Sequence, residues 1–125
     1  MKPQPFSIKK RIKSFSYALR GLKVLFKEEH NAKIHACSVI VVIIASLLFQ
    51  ISSIEWLFVI ASIGAVISME AFNSAIENIA DFVSPDQHEL IKKIKDLAAG
   101  AVLSSALAAL AIGSLIFLPK IINLI

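Results

Sequence analysis

Long uncharged apolar runs constrain the fold of this chain more than any other feature. No Asp, Glu, Lys or Arg occurs in residues 34–54 or 97–119, and a further apolar run opens at Trp56. A helix of about 20 apolar residues crosses the ~30 Å hydrocarbon core of a bilayer. With 57% hydrophobic residues in a chain of 125, a soluble domain would lack the interior volume to bury them. We therefore predict an all-α membrane protein with three transmembrane helices. The predicted spans cover about 34–52, 56–82 and 97–118.

An amphipathic helix is predicted ahead of the first span, at residues 6–27. Apolar side chains recur there at spacings of three and four, with lysines and arginines between them. This spacing forms one apolar helical face and one cationic face, which suits a helix lying in the membrane interface. We interpret residues 1–125 as a single domain in which this interfacial helix precedes the three spans.

The net charge of +4 is unevenly distributed. Residues 1–33 hold nine of the 13 Lys and Arg residues but only two acids, and Lys92, Lys93 and Lys95 lie between the second and third spans. An excess of Lys and Arg marks the cytoplasmic side of a membrane protein. The amino terminus and this second loop are therefore predicted to face the cytoplasm. No nucleic-acid-binding pattern is present, so we expect no nucleic-acid partner.

The segment "SPDQHEL" separates the second span from the third. Ser84 can cap a helix, Pro85 suits the first helical position, and Gln87 completes a capping box. This pattern predicts that the third membrane helix begins near residue 85.

Polar side chains share one face of the predicted second span. At about 100° per residue, Glu77 and Asp81 fall within about 20° of Glu70 on the helix, and Asn73 and Ser74 fall within about 60°. The stripe runs out of the apolar segment towards the cytoplasmic loop. Asn73 and Ser74 fit a polar seam between helices, whereas the glutamates call for another explanation.

Glu70 is predicted to lie within the hydrocarbon. It follows Trp56 by 14 residues, which corresponds to about 21 Å of helix and leaves it about 9 Å short of the cytoplasmic surface of the core. An isolated acid at the bilayer centre costs ~3 kcal/mol, so such residues are functional candidates by default. Glu77 is predicted at the water boundary and Asp81 beyond it.

This layout favours phosphoryl transfer to a lipid. Surface carboxylates offer hard oxygen ligands for a divalent metal, while Lys95 and Tyr17 are candidates for receiving phosphates. Phosphoryl transfer depends mainly on positioning and charge, so no standard nucleotide motif is needed, and none is present. The alternative is a non-enzymatic oligomeric ion conduit lined by Glu70. His30 and His35 are five residues apart, which does not suit a zinc pair on one helix face.

The strings "EAFNSAIENIAD", "HEL" and "KDLAAGAV" resemble the signature of the bacterial integral-membrane diacylglycerol kinases and their undecaprenol kinase relatives. The resemblance extends to "SFSYALRGLK" and "EEHNAKIH". It implies a lipid kinase of the bacterial cytoplasmic membrane that uses Mg²⁺ and ATP and works as a homotrimer with shared active sites. The acceptor would be diacylglycerol, giving phosphatidate, or undecaprenol, giving undecaprenyl phosphate. "KIH", "IEW" and "FLPK" look closer to the undecaprenol kinase branch.

The resemblance also implies roles for individual residues. Glu70 resembles the general base that activates the lipid hydroxyl, and Asn73 lies with it in the lipid pocket region. Glu77 and Glu29 resemble the metal ligands, with Glu28 as the alternative to Glu29. The positions that resemble the nucleotide-binding residues of the family are Lys10, Tyr17, Glu29, Glu77, His88, Lys95 and Asp96. At the first of these positions the neighbouring Arg11 is the alternative.

Overall fold

The computed structural model describes residues 2–86 and 88–125. Its helices, in chain order, are α1 (Ile8–Glu28), α2 (His30–Leu48), α3 (Ser53–Val83) and α4 (Glu89–Ile122). The last three are long and apolar enough to cross a membrane. The predicted fold class, an all-α protein with three such helices after an amino-terminal one, is confirmed for the described residues.

Side chains at the helix starts explain several of these boundaries. The Ser7 hydroxyl accepts a hydrogen bond from the backbone N–H of Lys10 at 3.4 Å. Ser52 and Glu55 form a reciprocal capping box, at 3.2 and 3.1 Å, which fixes the start of α3. Between α1 and α2 the backbone of Glu29 is extended, with φ −97° and ψ 119°, so one continuous helix is broken there.

The start of α4 differs from the prediction. The helix begins at Glu89, where the Nδ1 atom of His88 accepts a hydrogen bond from the N–H of Leu90 at 3.1 Å. Ser84 ends α3 instead, because its N–H donates to the carbonyl of Ala80 and its hydroxyl donates to the carbonyl of Asp86. The prediction of a start near residue 85 is therefore wrong, and Gln87 lies outside the described residues.

The packing is centred on α3. Its most extensive contact is with α4, and α2 and α1 pack on it less extensively. The buried core is small, a cluster around Ile51, Val59 and Ile116 at the end where α3 begins. Most large apolar side chains of the described residues are exposed. Surfaces of this kind suit contact with lipid rather than water.

Two ion pairs link α3 to α4 at opposite ends of the helix pair. At one end, Nζ of Lys120 lies 2.7 Å from Oε2 of Glu55. At the other, Nζ of Lys95 lies 2.5 Å from Oδ1 of Asp81. Because α3 has 31 residues, it extends about 46 Å, which is longer than the ~30 Å hydrocarbon core. Its last turns can therefore reach beyond the hydrocarbon, and these turns carry Asp81.

Candidate functional site

Glu70 is the most deeply buried charged side chain of the described residues, with only 2% of its surface exposed. It lies on α3, which is long and apolar enough to cross a membrane. Burial of a charged group is costly unless neighbouring groups compensate. The neighbours of Glu70 therefore decide what this carboxylate can do.

Helix α2 brings His35 against this carboxylate. Nε2 of His35 lies 3.1 Å from Oε1 of Glu70, and the imidazole retains 25% of its exposure. The two groups are within hydrogen-bond distance but are not aligned as a hydrogen bond. Within the described part of the chain, Oε1 of Glu70 has no hydrogen-bond partner. The carboxylate thus keeps one oxygen able to accept a proton or a hydrogen bond.

The break between α1 and α2 directs Glu29 towards α3. Its Oε1 accepts a hydrogen bond from the hydroxyl of Ser74 at 3.1 Å, and the residue is half-buried. Ser74 lies one turn along α3 from Glu70, so Glu29 is held on the same stripe. Glu28, in contrast, is the last residue of α1 and is exposed.

Two further carboxylates act electrostatically on Glu70. Glu29 and Glu77 both lie close enough to Glu70 for their negative charges to act on it. No three His, Cys, Asp or Glu side chains of the described residues converge as a complete metal site. Mg²⁺ needs only one or two carboxylates when substrate phosphates and water supply its other ligands. Glu29 and Glu77, two carboxylates whose charges both reach Glu70, are enough in number for that requirement.

An apolar groove leads along the spans to His35. It is lined mainly by apolar side chains of α2, α3 and α4, including Val42, Val66 and Phe117, with Ser38 and Ser62 among them. On the other side of the stripe, Asn73 is half-buried, and its Oδ1 is a second buried oxygen without a hydrogen-bond partner in the described residues. An apolar groove that reaches His35, which in turn contacts Glu70, suits a lipid with a polar head.

The predicted nucleotide-binding residues near the α3–α4 connection share one cleft of about 440 Å³. His88, Lys95 and Asp96 line it together with Asp81. Lys95 is paired with Asp81, and the carboxylate of Asp96 is 2.6 Å from Nζ of Lys92. Lys95 and Asp96, the two charged residues of this cleft that are predicted to contact the nucleotide, are therefore each paired within the chain.

The predicted nucleotide-binding residues of α1 lie elsewhere. Tyr17 lines a separate groove between α1 and α3, which also includes Ser74 and Asn78. Lys10 is exposed near the start of α1 and donates to Oε1 of Gln4 at 2.6 Å. The described part of one chain thus holds the predicted nucleotide-binding residues in separate places.

Sequence reasoning missed the partners of the buried and half-buried acids. The spacing of His30 and His35 argues against a zinc pair and predicts no other role for His35, and Ser74 is predicted only as part of a polar seam. A signal for His35 was present, since it is a polar residue within the first uncharged run, near the same cytoplasmic side of the membrane as Glu70. The pairing of Glu55 with Lys120 was also not predicted, although both residues border the same side of the spans.

These features define a class of protein, namely a helical membrane protein with an acidic site where α2 and α3 meet. Residues 16–117 match the family described as prokaryotic diacylglycerol kinase. Because the match covers most of the chain, the protein belongs to the prokaryotic diacylglycerol kinase family. The family identified from the sequence is confirmed, and the chain is a bacterial membrane protein of a lipid kinase family.

Individual relatives carry two different names. The chain is 41% identical over 109 residues to the undecaprenol kinase of Bacillus subtilis, covering 87% of this chain and 89% of the relative. It is 36% identical over 112 residues to the diacylglycerol kinase of a Synechocystis species, covering 89% of this chain and 64% of the relative. It is 35% identical over 92 residues to the diacylglycerol kinase of Haemophilus influenzae, covering 73% of this chain and 77% of the relative.

Proposed function

We propose that this protein transfers the γ-phosphate of ATP to the hydroxyl group of a membrane lipid, with Glu70 as the general base. The observation that carries the proposal is the environment of Glu70. Its carboxylate is 2% exposed, lies on a span-length helix, and has a buried oxygen without a hydrogen-bond partner in the described residues. Membership of a lipid kinase family supplies the reaction class.

The proposed reaction follows from this placement. Glu70 accepts the proton of the lipid alcohol, and the alcohol oxygen forms a bond to the γ-phosphorus. The bond from that phosphorus to the oxygen of ADP breaks, so that ADP leaves with the electron pair. A positioned general base contributes about 10²–10⁴-fold in rate, and it must lie within ~3 Å of the oxygen whose proton it takes. The carboxylate of Glu70 has not used its capacity to accept hydrogen bonds within the described residues, so one of its oxygens is available for that contact.

Glu29 and Glu77 are proposed to hold the Mg²⁺ ion. The hydrogen bond from Ser74 and the half-buried position of Glu29 support its choice over the exposed Glu28. When bound, Mg²⁺ neutralises phosphate charge and orients the γ-phosphate. The charges of both glutamates act on Glu70, which supports a single place where the nucleotide phosphates and the lipid alcohol meet.

The nucleotide is proposed to bind where subunits of a homotrimer meet. Tyr17 and Lys10, which has Arg11 as its alternative, lie on α1, whereas His88, Lys95 and Asp96 line the cleft of the α3–α4 connection. Their separation within one chain supports an active site that is shared between subunits. The large exposed apolar surface of the helices leaves room for such contacts.

Undecaprenol and diacylglycerol are the proposed lipid acceptors. The higher identity to an undecaprenol kinase favours undecaprenol, and the Synechocystis and Haemophilus relatives favour diacylglycerol. The apolar groove that reaches His35, which itself contacts Glu70, supports an acceptor that combines an apolar chain with a hydroxyl group. Undecaprenol and diacylglycerol each combine an apolar chain with a hydroxyl group.

The active site is proposed to face the cytoplasm, with residues 1–125 acting as one lipid kinase domain. The excess of Lys and Arg at the amino terminus supports this orientation. Asp81 and Lys95 are paired at the same end of α3 that carries Glu77. ATP from the cytoplasm would therefore reach the metal-binding glutamates without crossing the membrane.

The test is phosphorylation of a lipid panel by the purified protein. The protein in lipid vesicles receives γ-labelled ATP, Mg²⁺ and either undecaprenol or diacylglycerol, and the labelled lipid is measured. We expect label in at least one lipid and a loss of about 10²-fold or more for Glu70→Gln. Glu55→Gln, the same change at the opposite end of α3, is the matched control and should retain activity.

Two results would overturn this function. One is the absence of labelled lipid for the whole panel. The other is a Glu70→Gln variant that labels lipid as fast as the unchanged protein. Proton or cation flux into vesicles without ATP, lost in Glu70→Gln, would instead support the ion conduit.

A further inference from the structure

We propose that His35 is a positioning residue that orients the carboxylate of Glu70 for its role as base. This inference depends on the proposed function. Nε2 of His35 lies 3.1 Å from Oε1 of Glu70, and the two side chains come from different helices. Glu70 is on α3 and His35 is on α2, so the packing of these helices sets the distance between base and imidazole.

The charges around Glu70 leave few groups that could hold its carboxylate. Glu29, at the α1–α2 break, and Glu77, on α3 itself, act on Glu70 with the same sign of charge. Both repel a carboxylate rather than orient it. Of the described groups whose charge acts on Glu70, only His35 can donate a hydrogen bond to it or carry a compensating positive charge.

The present contact is close but not aligned. A buried oxygen without a hydrogen bond costs about 1–3 kcal/mol, so aligning the N–H of His35, whose Nε2 is already 3.1 Å away, with this oxygen would be favourable. Catalytic hydrogen bonds are often poorly aligned in the free enzyme and tighten when the substrate binds. A small rotation of the imidazole would align its N–H with Oε1. The other oxygen of Glu70 would then be directed to the lipid alcohol.

His35 also lies at the apolar groove, and this position relates its role to the entry of the lipid acceptor. The same imidazole lines the groove that runs between α2, α3 and α4. A lipid alcohol that enters along this groove therefore reaches Glu70 past the ring that orients it. His35 thus links the entry path of the acceptor to the geometry of the base.

Removing the nitrogens of His35 while keeping its ring tests the proposal. His35→Phe retains a planar ring between α2 and α3, so it preserves packing and removes the donor. His35→Gln restores a donor at about the reach of Nε2. His30→Phe is the matched control, since His30 is an exposed histidine on the same helix. Each variant is measured with ATP, Mg²⁺ and the lipid acceptor that the unchanged protein phosphorylates.

We expect His35→Phe to change kcat and to leave the KM values nearly unchanged. His35→Phe should lower kcat on the order of 10- to 100-fold, because a base displaced by about 1 Å loses rate to that extent. The KM values for ATP and lipid should change by less than about threefold, because the contact acts on the chemical step. His35→Gln should recover most of the lost kcat, and His30→Phe should match the unchanged protein. Size-exclusion elution and Tm show whether each variant is folded.

Several outcomes would overturn the inference. They are an unchanged kcat in His35→Phe, a loss confined to KM, and a His35→Gln variant as slow as His35→Phe. If His35→Phe does not fold, His35→Leu takes its place and the same comparisons decide. If the unchanged protein phosphorylates lipid, any of these results overturns only the role of His35 and leaves the proposed function intact. An inactive unchanged protein overturns the proposed function and this inference together.

Discussion

The hydroxyl of Ser74 lies 3.1 Å from Oε1 of Glu29, and this hydrogen bond connects the α1–α2 break to the acidic stripe of α3. Ser74 occupies the turn between Glu70 and Glu77. Glu29, which precedes α2, is thereby held against α3, at the turn between Glu70 and Glu77. The acidic site thus depends on where α1 ends as well as on the spacing of acids along α3.

The first prediction compares the adjacent glutamates of that break. Glu29→Gln should raise the Mg²⁺ concentration for half-maximal lipid phosphorylation by about tenfold or more, because an amide is a much weaker ligand for a hard cation than a carboxylate. Glu28→Gln is the matched control and should remain within about twofold, since Glu28 is exposed. The measurement is a Mg²⁺ titration at saturating ATP. An equal effect in both variants would mean that the α1–α2 break does not make Glu29, rather than Glu28, the metal ligand.

The second prediction concerns the serine that holds Glu29. Ser74→Ala removes one hydrogen bond worth about 1 kcal/mol, which corresponds to about fivefold in the Mg²⁺ requirement. We expect kcat at saturating Mg²⁺ to change little, because the carboxylates themselves remain. The control is Ser104→Ala on α4, where the hydroxyl bonds only to the Gly100 carbonyl of its own helix at 2.8 Å. A Mg²⁺ requirement unchanged in Ser74→Ala would contradict the orienting role.

Periodicity predicted much of this site, since side-chain direction along a helix repeats with known geometry. The stripe that contains Glu70 and Glu77 could be placed on one face from spacing alone. The contact with His35 could not, because it depends on how α2 rotates and shifts relative to α3. Spacing within one helix carries no information about that packing.

The start of α4 shows a different limit. Ser84 and Pro85 have the residue types that favour a helix start, yet the backbone of Ser84 still belongs to the end of α3. His88 provides the cap through its ring nitrogen, which few sequence rules anticipate. When two helices are separated by a short loop, the end of the first competes with the start of the second for the same residues.

The third prediction concerns phosphate binding by the cleft of the α3–α4 connection. Lys95→Gln should raise the KM for ATP by about tenfold, because it removes a charged hydrogen-bond donor from the cleft that contains His88. The control is Lys93→Gln, on the same helix but outside that cleft. Steady-state kinetics with varied ATP measure both. If the two variants raise the KM equally, general positive charge rather than the position of Lys95 attracts the nucleotide.

The fourth prediction tests the orientation that brings ATP to the acids. In a Cys37→Ser background, which removes an exposed thiol, single cysteines replace Lys93 and Asn123. These residues lie near opposite ends of α4, a helix of 34 residues. A membrane-impermeant maleimide should label Asn123→Cys in intact cells and Lys93→Cys only after permeabilisation, because Lys and Arg are retained on the cytoplasmic side.

The reverse labelling pattern would place Glu77 and Lys95 outside the cell, where ATP is not supplied by metabolism. In that orientation the pairing of Asp81 with Lys95 would still join the helices, but it would no longer lie on the path of the nucleotide. The kinase reaction therefore requires Lys93→Cys to be protected in intact cells. Labelling of both cysteines before permeabilisation would show a mixed orientation, in which only the molecules with Lys95 in the cytoplasm meet ATP.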